Sequence, residues 1–273
     1  MLSAPTQPTD DRAEAVRESG SWYLDPLAAE QKRRANLSLV RQALGVRAPK
    51  YVLKTDLFEE ANGSDQILFG LDLGQQLALG FDRDAETCNK ARGRAPGKGW
   101  PLFVADARQL PLATGKIDLI MSTSTLDHMD AAEDLEAALS ELFRVLKPAG
   151  RLALTLDNPW NPVYPILRAV CALPWAPFAL GYTASRNTLD KTLQNVGFEP
   201  LSWRPVLHNP RIVSTFFMLA ARRLLGARAA PIIRGALGMF DRLDSLPTRW
   251  ITACFTGVCA EKPASPSPST HKR

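Results

Sequence analysis

Cysteine and histidine are scarce in this chain of 273 residues, and their spacing limits the chemistry that the protein can carry. The four cysteines are Cys88, Cys171, Cys254 and Cys259, without a Cys-x-x-Cys pair or a neighbouring histidine. This scatter argues against both a zinc site and a disulfide framework. We therefore expect no metal ion, and a reducing, cytoplasmic setting.

Glycine is nearly missing from the segment where nucleotide-binding chains most often need it. The apolar run 51–55 is followed by Asp-Leu-Phe-Glu-Glu-Ala-Asn, and the first glycine after this run is the next residue, Gly63. A nicotinamide-dependent oxidoreductase needs a Gly-x-Gly-x-x-Gly loop after its first strand. The sequence therefore argues against that class of enzyme.

An uninterrupted apolar run of membrane-spanning length is also missing. The apolar segment 163–182 is broken by Pro165, Pro174, Pro177 and Arg168, which argues against a transmembrane helix. The first eleven residues have neither a basic start nor an apolar core, so we expect no signal peptide.

Short apolar runs are present, and they alternate with helical segments. The runs 77–82, 102–106, 117–123 and 151–156 each predict a buried strand. This alternation is typical of βαβ units in a doubly wound parallel sheet, which binds ligands beyond the carboxyl ends of its strands. With 45% hydrophobic residues, the chain is long enough for one large α/β domain.

Two acids end successive predicted strands. Asp82 can accept hydrogen bonds from both hydroxyls of a ribose, and Asp106 with the amide of Ala107 can read the amino edge of an adenine. Ser122 and Thr123 end the following strand at the same edge of the sheet. These residues are sufficient to predict adenosine recognition.

The order of these motifs resembles the class I S-adenosylmethionine-dependent methyltransferases over roughly residues 51–262. The matching segments are Gly80-Phe-Asp82, Ala105-Asp106-Ala107 with Leu110-Pro111, Ile117-Asp-Leu-Ile120 and Leu146-Lys-Pro-Ala-Gly150, where Ala149 replaces a glycine. The resemblance implies a mostly parallel, seven-stranded Rossmann-like sheet with helical inserts. It also implies methyl transfer from S-adenosyl-L-methionine.

The first motif departs from the family, which has an acid followed by Gly-x-Gly-x-Gly. Here Asp56 stands in the acid's place, although an acid beside a helix start is often only an N-cap. Either the loop takes another path and binds the cofactor through Thr55, Asp56 and the following helix, or the protein is a non-catalytic scaffold that has lost cofactor binding. For a working site, the predicted cofactor contacts are Thr55, Asp56, Asp82, Arg83, Asp106, Ala107, Ser122 and Thr123.

The chain organisation follows from composition. We predict disorder over 1–20 and 263–273, because both ends are polar, and a methyltransferase-like domain over 21–262. Within it, residues 24–44 form a helix that either covers the cofactor or simply packs on the domain. Helical inserts are expected at about 160–183 and 210–248, where the family builds its acceptor pocket.

The second insert combines arginines with apolar residues. Between Trp203 and Trp250 there are eight arginines, two aspartates and no lysine, and segments 212–225 and 231–246 are amphipathic. Such helices can lie on a membrane surface, cover a hydrophobic pocket or be ordinary solvated helices. We expect a hydrophobic acceptor, such as a lipid, an isoprenoid or a polyketide-like metabolite, and contact with the inner face of the membrane. Nucleic acid is a less favoured partner because the arginines alternate with large apolar residues.

Candidate acceptor-site residues follow the fourth and fifth strands. His128 can deprotonate a hydroxyl, with Asp127 orienting its ring, or it can be a structural group. Asp157 and Asn158 face the predicted cleft, although a turn role for the Asn-Pro pairs is the simpler interpretation. His208 and Arg211 can also approach the acceptor from the second insert.

Overall fold

The computed structural model describes residues 25–44, 48–63, 65–71, 77–96, 99–173 and 180–264. The predicted disordered N-terminus and almost all of the predicted tail lie outside these residues. So does the part of the first insert that contains Trp175 and Phe178.

Seven strands and nine α-helices are assigned in these residues. The strands are β1 (Tyr51–Thr55), β2 (Leu77–Asp82), β3 (Leu102–Val104), β4 (Ile117–Thr123), β5 (Leu146–Asp157), β6 (Glu199–Val206) and β7 (Phe255–Glu261). The helices are α1 (Pro26–Leu44), α2 (Phe58–Asn62), α3 (Ala85–Arg94), α4 (Ala132–Val145), α5 (Tyr164–Cys171), α6 (Arg186–Val196), α7 (Arg211–Leu225), α8 (Ala229–Asp241) and α9 (Arg249–Thr252).

The sheet has the order β3-β2-β1-β4-β5-β7-β6. The first five strands in this order are parallel, whereas β7 runs antiparallel to both β5 and β6. This confirms the predicted seven-stranded, mostly parallel, Rossmann-like sheet. The strand order reverses at β1 and β4, and the crevice beyond the carboxyl ends of these strands is where such sheets bind ligands.

Alternating residues of the strands supply two apolar layers. On one face, Leu53 and Ile120 join the core formed with α4 and α6. On the other face, Val52 and Leu119 join the core formed with α1 and α3. Because both faces are covered, the central strands read as nearly continuous apolar runs, which is why they were visible in the sequence.

An irregularity near the start of β5 explains a family preference. Ala149 has a φ of 60°, a left-handed conformation that favours glycine, and its amide donates to the carbonyl of Lys262 at 2.7 Å. The glycine that Ala149 replaces is thus suited to the backbone at this position.

The inserts are helical, as predicted, but their boundaries differ from the prediction. The first contributes α5, and the second contributes α7, α8 and α9 with short 3₁₀ turns between them. Several large apolar side chains of the second insert are exposed, including Phe216, Phe217 and Leu224. Within the described residues, no helix combines the length and the apolar character needed to cross a bilayer.

Candidate active site

A cavity of about 580 Å³ opens at the carboxyl edge of the sheet. Its size lies within the range of small-molecule sites. Its polar lining residues include Lys32, Asp56, Glu59, Asp65, Asp82, Ser124, Asp127, His128, Asp157 and Arg211. Its apolar lining residues include Leu167, Val170, Cys171, Leu180, Ile212, Phe216, Met218 and Phe255. The fold therefore brings five of the predicted site residues to one cavity, namely Asp56, Asp82, His128, Asp157 and Arg211.

The turn between β1 and α2 replaces the expected glycine loop with a network of side chains. Lys54 on β1 is fully buried, and its ammonium group lies 2.9 Å from a carboxylate oxygen of Glu59 and 2.9 Å from one of Glu60. It also donates to the carbonyl oxygen of Asp56 at 2.7 Å. These contacts fold the chain directly from the strand into a short helix.

Asp56 lies at the bend of this turn. Its φ of 68° is a left-handed conformation that favours glycine, and its Oδ1 atom accepts a hydrogen bond from the amide of Phe58 at 2.7 Å. Asp56 thus occupies a glycine-type position one residue beyond β1, which corrects our placement of it as the family's strand-end acid. The N-cap of α2 is Leu57, without a side-chain cap, so the hydrogen bond from Phe58 to Asp56 is a turn contact and does not make Asp56 the N-cap.

The network separates the pKa values of two neighbouring acids. Burial, followed by the charge of Glu59, raises the pKa of Asp56 to about 7, despite the opposing charge of Lys54. Glu59 is equally buried, but the charges of Lys54 and Lys32 outweigh that burial and lower its pKa to about 2. Asp56 is therefore the acid of this turn that gains or loses a proton near neutral pH.

Asp82 connects this turn to the second strand. Its Oδ2 atom accepts the amide of Leu57 at 2.9 Å, and its Oδ1 atom accepts the amide of Asp84 at 2.9 Å. Burial raises the pKa of Asp82 above its ordinary value, although these two amides oppose the shift. A carboxylate has about four acceptor positions, so two of them remain for ligand hydroxyls.

Three predicted cofactor residues beside β2 and β3 lie outside the residues that line this cavity. Asp106 forms hydrogen bonds with the Arg108 guanidinium at 2.7 and 3.0 Å, and Arg83 lies 3.7 Å from it. Hydrogen bonding to Arg108 lowers the pKa of Asp106. The side chain of Ala107 belongs to the apolar core. These three side chains lie outside the wall of this cavity, and the assignment of Asp106 and the Ala107 amide to an adenine stays a prediction.

Thr55, Ser122 and Thr123 are also absent from the cavity wall. All three side chains are buried, and the Oγ1 atom of Thr55 donates to the Oγ atom of Ser122 at 2.9 Å. They lie beneath the site and connect the ends of β1 and β4. Ser124, the next residue, lines the cavity instead, with a φ of 54°.

An ion pair at the end of β5 lines the cavity. Arg211 of α7 donates to the Oδ1 atom of Asp157 at the end of β5, and its guanidinium lies 4.6 Å from the centre of the Phe255 ring. Burial raises the pKa of Asp157 to about 6; Arg211 opposes the shift and Asp127 adds to it. The charge of His128 also acts on Asp157, so these side chains form one electrostatic group.

Asn158 and His208 have structural contacts. The side-chain amide of Asn158 donates to the carbonyl oxygens of Trp250 and Ala253 at 2.8 and 3.0 Å, which supports the turn interpretation. The Nδ1 atom of His208 is 2.9 Å from the hydroxyl of Thr252, and its ring is 6% exposed. Neither residue is among those lining the cavity, so the structure does not bring them to the predicted acceptor site.

Lys32, Glu59, Asp65 and Ser124 line the cavity but were missed in the sequence. Lys32 is on α1, far from the strand ends, and it bridges Glu59 at 3.0 Å and Asp65 at 3.2 Å. A Cβ at position 63 would collide with the Asp65 carboxylate, so the glycine there is a sequence feature that this arrangement requires. α1 therefore borders the site and is more than a packing helix.

In the described part of the chain, no group of three or more His, Cys, Asp or Glu side chains is arranged to hold a metal ion. The four cysteines are free and buried.

A methyltransferase-domain family model matches residues 61–154 of the chain. This match, which covers about a third of the chain, and the strand order support the resemblance to class I S-adenosylmethionine-dependent methyltransferases that the motifs predicted. The match covers β2 to β5 and begins just after the unusual turn.

Two curated relatives are named as methyltransferases. The chain is 45% identical over 143 residues to malonyl-acyl-carrier-protein O-methyltransferase of Methylococcus capsulatus. The aligned segment covers 50% of this chain and 48% of that protein. It is 30% identical over 122 residues to demethylmenaquinone methyltransferase of Streptomyces avermitilis, covering 38% of this chain and 52% of that protein. The chain thus spans about half the length of the curated relatives it matches.

Solved structures support the fold. A putative sarcosine dimethylglycine methyltransferase from Galdieria sulphuraria superposes with a TM-score of 0.58 at 14% identity, covering 93% of this chain and 99% of that one. At this identity the likeness concerns architecture and not substrate.

S-adenosyl-L-methionine is the cofactor of this domain class, and the cavity residues fit its chemistry. Asp82 has free acceptor positions for a ribose diol, and the excess of carboxylates suits a sulfonium cation. Two buried atoms of the wall, Asp127 Oδ1 and Ser124 Oγ, have no hydrogen-bond partner among the described residues. Such atoms are costly unless a ligand or water satisfies them.

Proposed function

We propose that this protein is an S-adenosylmethionine-dependent methyltransferase that acts on a small, mainly apolar acceptor. The observation that carries the proposal is the single cavity, which joins an acidic end at Asp56 and Asp82 to an apolar end between α5 and α7. A donor and an acceptor can therefore meet without leaving the protein. The methyl-transferring names of the two curated relatives support this proposal.

Donor binding is assigned to the acidic end. Asp82 accepts hydrogen bonds from the ribose hydroxyls, and the carboxylates of Asp56 and Asp127 face the positive charge of the donor. When bound, S-adenosylmethionine supplies a methyl group on a positively charged sulfur. Neighbouring carboxylates favour binding of that cation, and this attraction is strong because the site is partly shielded from water.

Acceptor binding is assigned to the apolar end. Leu167, Val170 and Ile212 supply a wall without hydrogen-bonding side chains, while Arg211 and Asp157 mark its polar limit. Such a surface suits a lipid, an isoprenoid or a polyketide-like molecule with one polar group. The wall also excludes water and holds the acceptor atom in line for attack, which is the main contribution of an enzyme to this reaction.

We assign the transfer of a proton to His128. It lines the cavity where the polar and apolar ends meet, and it interacts electrostatically with Asp157. An imidazole can accept the proton of an acceptor hydroxyl, and the Asp157 carboxylate then stabilises the imidazolium. An acceptor without such a proton needs no base.

Calorimetry followed by a transfer assay tests the function. We expect S-adenosylmethionine and its demethylated product to bind in the micromolar range, and labelled methyl groups to transfer to apolar acceptors that carry a hydroxyl. His128→Gln should lower kcat for a hydroxyl acceptor by roughly 10²–10⁴-fold with little change in donor affinity, because general-base catalysis contributes that much.

The matched control is His208→Gln, because this histidine lies outside the cavity wall and should keep kcat within about threefold of wild type. Equal losses in the two variants would remove His128 from the reaction. Failure of both donor and product to bind would favour a non-catalytic scaffold.

We further propose that the second insert contacts the cytoplasmic face of an anionic membrane. Exposed apolar side chains lie beside exposed arginines on α7 and α8, including Phe217, Leu224, Arg223 and Arg234. Phe216 belongs both to this exposed surface and to the cavity wall, so a hydrophobic acceptor could enter from a bilayer. Arginines next to an apolar helix face favour anionic lipid surfaces.

Vesicle binding tests this surface. Arg223→Gln combined with Arg234→Gln should weaken partitioning onto phosphatidylglycerol vesicles about 30-fold, since each basic residue near such a surface contributes about 1 kcal/mol. Lys90→Gln combined with Lys116→Gln removes the same charge from exposed sites elsewhere and should have a much smaller effect. No binding of the wild-type protein, or equal binding to neutral phosphatidylcholine vesicles, would contradict the proposal.

A further inference from the structure

The corner of the cavity beside the β1–α2 turn has an unusual charge balance. We call it the amino recess, and it is formed by Lys32, Asp56, Glu59 and Asp65. Behind it lie Lys54 and Glu60. These six side chains comprise four carboxyl groups and two ammonium groups, so acids outnumber cations in this corner even where Asp56, with its pKa of about 7, is protonated. Buried charges are normally paired, and this imbalance favours a cationic ligand.

The recess is held by contacts on several sides. Glu60 accepts the amides of Ile67 and Leu68 at 3.0 and 2.8 Å, which fixes the segment that carries Asp65. Asp82 accepts the amide of Leu57, which fixes the turn to β2. Lys32 connects α1 to Glu59 and Asp65. A charged corner fixed in this way is suited to bind a ligand without rearrangement.

Polar capacity remains inside the recess. The Asp65 side chain is 1% exposed, and its Oδ1 atom has no hydrogen-bond partner among the described residues. The ammonium group of Lys32 has three donors; it donates to a carboxylate oxygen of Glu59 at 3.0 Å and lies 3.2 Å from an oxygen of Asp65. The recess can therefore accept from a bound cation and donate to a bound anion.

We propose that the amino recess binds the amino-acid end of S-adenosylmethionine, with Asp65 and Glu59 facing its ammonium group and Lys32 facing its carboxylate. The side chains of the recess thus replace the glycine loop, whose backbone serves this end of the cofactor in the family. This inference rests on the proposed function, because it assumes that the cavity binds the donor. Asp56 supports it, since a cation nearby favours the ionised form of an acid whose pKa is about 7 in the free protein.

Calorimetry with donor fragments tests the recess without measuring catalysis. Methylthioadenosine keeps the adenosine and the sulfur but lacks the amino-acid end. We expect the wild-type protein to bind it at least about 30-fold more weakly than S-adenosylmethionine, because it loses the charge-assisted hydrogen bonds of the recess. Asp65→Asn and Glu59→Gln should each weaken S-adenosylmethionine binding about 10-fold and leave methylthioadenosine binding unchanged.

Lys32 is tested with decarboxylated S-adenosylmethionine. Lys32→Met should weaken binding of the complete donor about 10-fold and leave binding of the decarboxylated donor nearly unchanged. The matched control is Glu86→Gln, which removes an exposed acid of α3 that pairs with Lys90 and should change neither affinity. Thermal melting of each variant without ligand shows whether a loss of affinity reflects unfolding.

The outcomes separate this inference from the proposed function. Equal affinity of the wild-type protein for S-adenosylmethionine and methylthioadenosine would overturn the recess while leaving the methyltransferase proposal in place. Parallel losses for both ligands in folded Asp65→Asn would also overturn it, since the change would then act on the whole site. Binding of neither ligand by the wild-type protein would overturn both proposals.

Discussion

Replacing Lys54 with methionine is expected to lower the free energy of unfolding by about 3–5 kcal/mol. Lys54 is fully buried and pairs with Glu59 and Glu60, both of which are also buried. Methionine has a similar length but no charge, so the variant leaves two carboxylates without their shared cation. Removing one partner from a buried ion pair costs far more than the pair contributes when it is intact.

The loss of stability caused by Lys54→Met should depend on pH, because the substitution changes the pKa of Glu59. In the wild-type protein the pKa of Glu59 is lowered to about 2, so its contribution to stability is present above its unfolded value and is lost as pH falls towards 2. Without Lys54 this acid keeps its burial but loses its largest opposing charge, and its pKa rises. Its burial then destabilises the folded state increasingly as pH rises, so the deficit of the variant should be smaller at pH 5 than at pH 8.

Urea unfolding at these two pH values measures both effects. Lys90→Met is the matched control, because Lys90 forms an exposed pair with Glu86 within α3, and such pairs contribute at most about 0.5 kcal/mol. A deficit below about 1 kcal/mol for Lys54→Met would show that the turn is not built on this cation. A deficit that grows towards acidic pH would contradict its electrostatic origin.

Asp82→Asn is expected to reduce affinity for S-adenosylmethionine by at least about 100-fold. The carboxylate is assigned two ribose hydroxyls, and hydrogen bonds to a charged group contribute about 1.5–3 kcal/mol each. Asparagine keeps the shape of the side chain but loses the charge and half of its acceptors. Its NH₂ group is a donor and would face another donor, either a backbone amide or a ribose hydroxyl.

Asparagine is a sharper substitution than alanine at this position. Asp82 accepts the amides of Leu57 and Asp84, so alanine would leave both without an acceptor and would disturb the turn as well as the ligand. Asp118→Asn is the matched control. Asp118 also accepts two backbone amides, those of Lys50 and Tyr51, but it stands at the start of β4, at the opposite edge of the sheet.

Calorimetry on the two variants distinguishes the roles. Asp118→Asn should lose some stability and keep donor affinity. Wild-type affinity in folded Asp82→Asn would exclude Asp82 from the cofactor site. It would also leave the acidic end of the cavity without an assigned ribose contact.

The two substitutions examine the same unusual turn from opposite sides. Lys54 supports it from within the core, and Asp82 holds it from the neighbouring strand through the amide of Leu57. In a glycine loop, backbone flexibility allows a close approach to the cofactor. In this chain a buried ion network fixes the backbone, and side chains face the cavity in its place. That difference is the reason for testing stability and donor binding separately.

Some of the site was predictable because it depends on local pattern. Asp82 was found because it follows a buried strand, and acids at the ends of parallel strands meet at one edge. His128 was found by the same argument after β4. Asp106 also ends a strand, but Arg108, two residues later, forms hydrogen bonds with its carboxylate outside the cavity. The strand pattern predicts the edge, and it does not predict which neighbour a carboxylate will bind.

Other parts of the site join residues that are distant in the chain. Arg211 pairs with Asp157 across 54 positions, and Lys32 bridges Glu59 and Asp65 from a helix that precedes the sheet. The sequence contains no periodic signal for such pairs, because they depend on how α1 and α7 pack over the sheet edge. His208 and Asn158 lie outside the cavity for the same reason, since both side chains contact α9 and its flanks.

The sequence by itself determined the class of fold and the edge at which chemistry can occur. Apolar strands alternating with helices can bury both faces of a sheet only in a doubly wound arrangement, and the motifs from Gly80 to Gly150 identify the methyltransferase domain. Only the tertiary structure decided which acids share one cavity and how the glycine-free turn is supported. Those properties arise from burial and charge pairing between distant segments, and the energy of a charge depends on its surroundings in space and not on its neighbours in sequence.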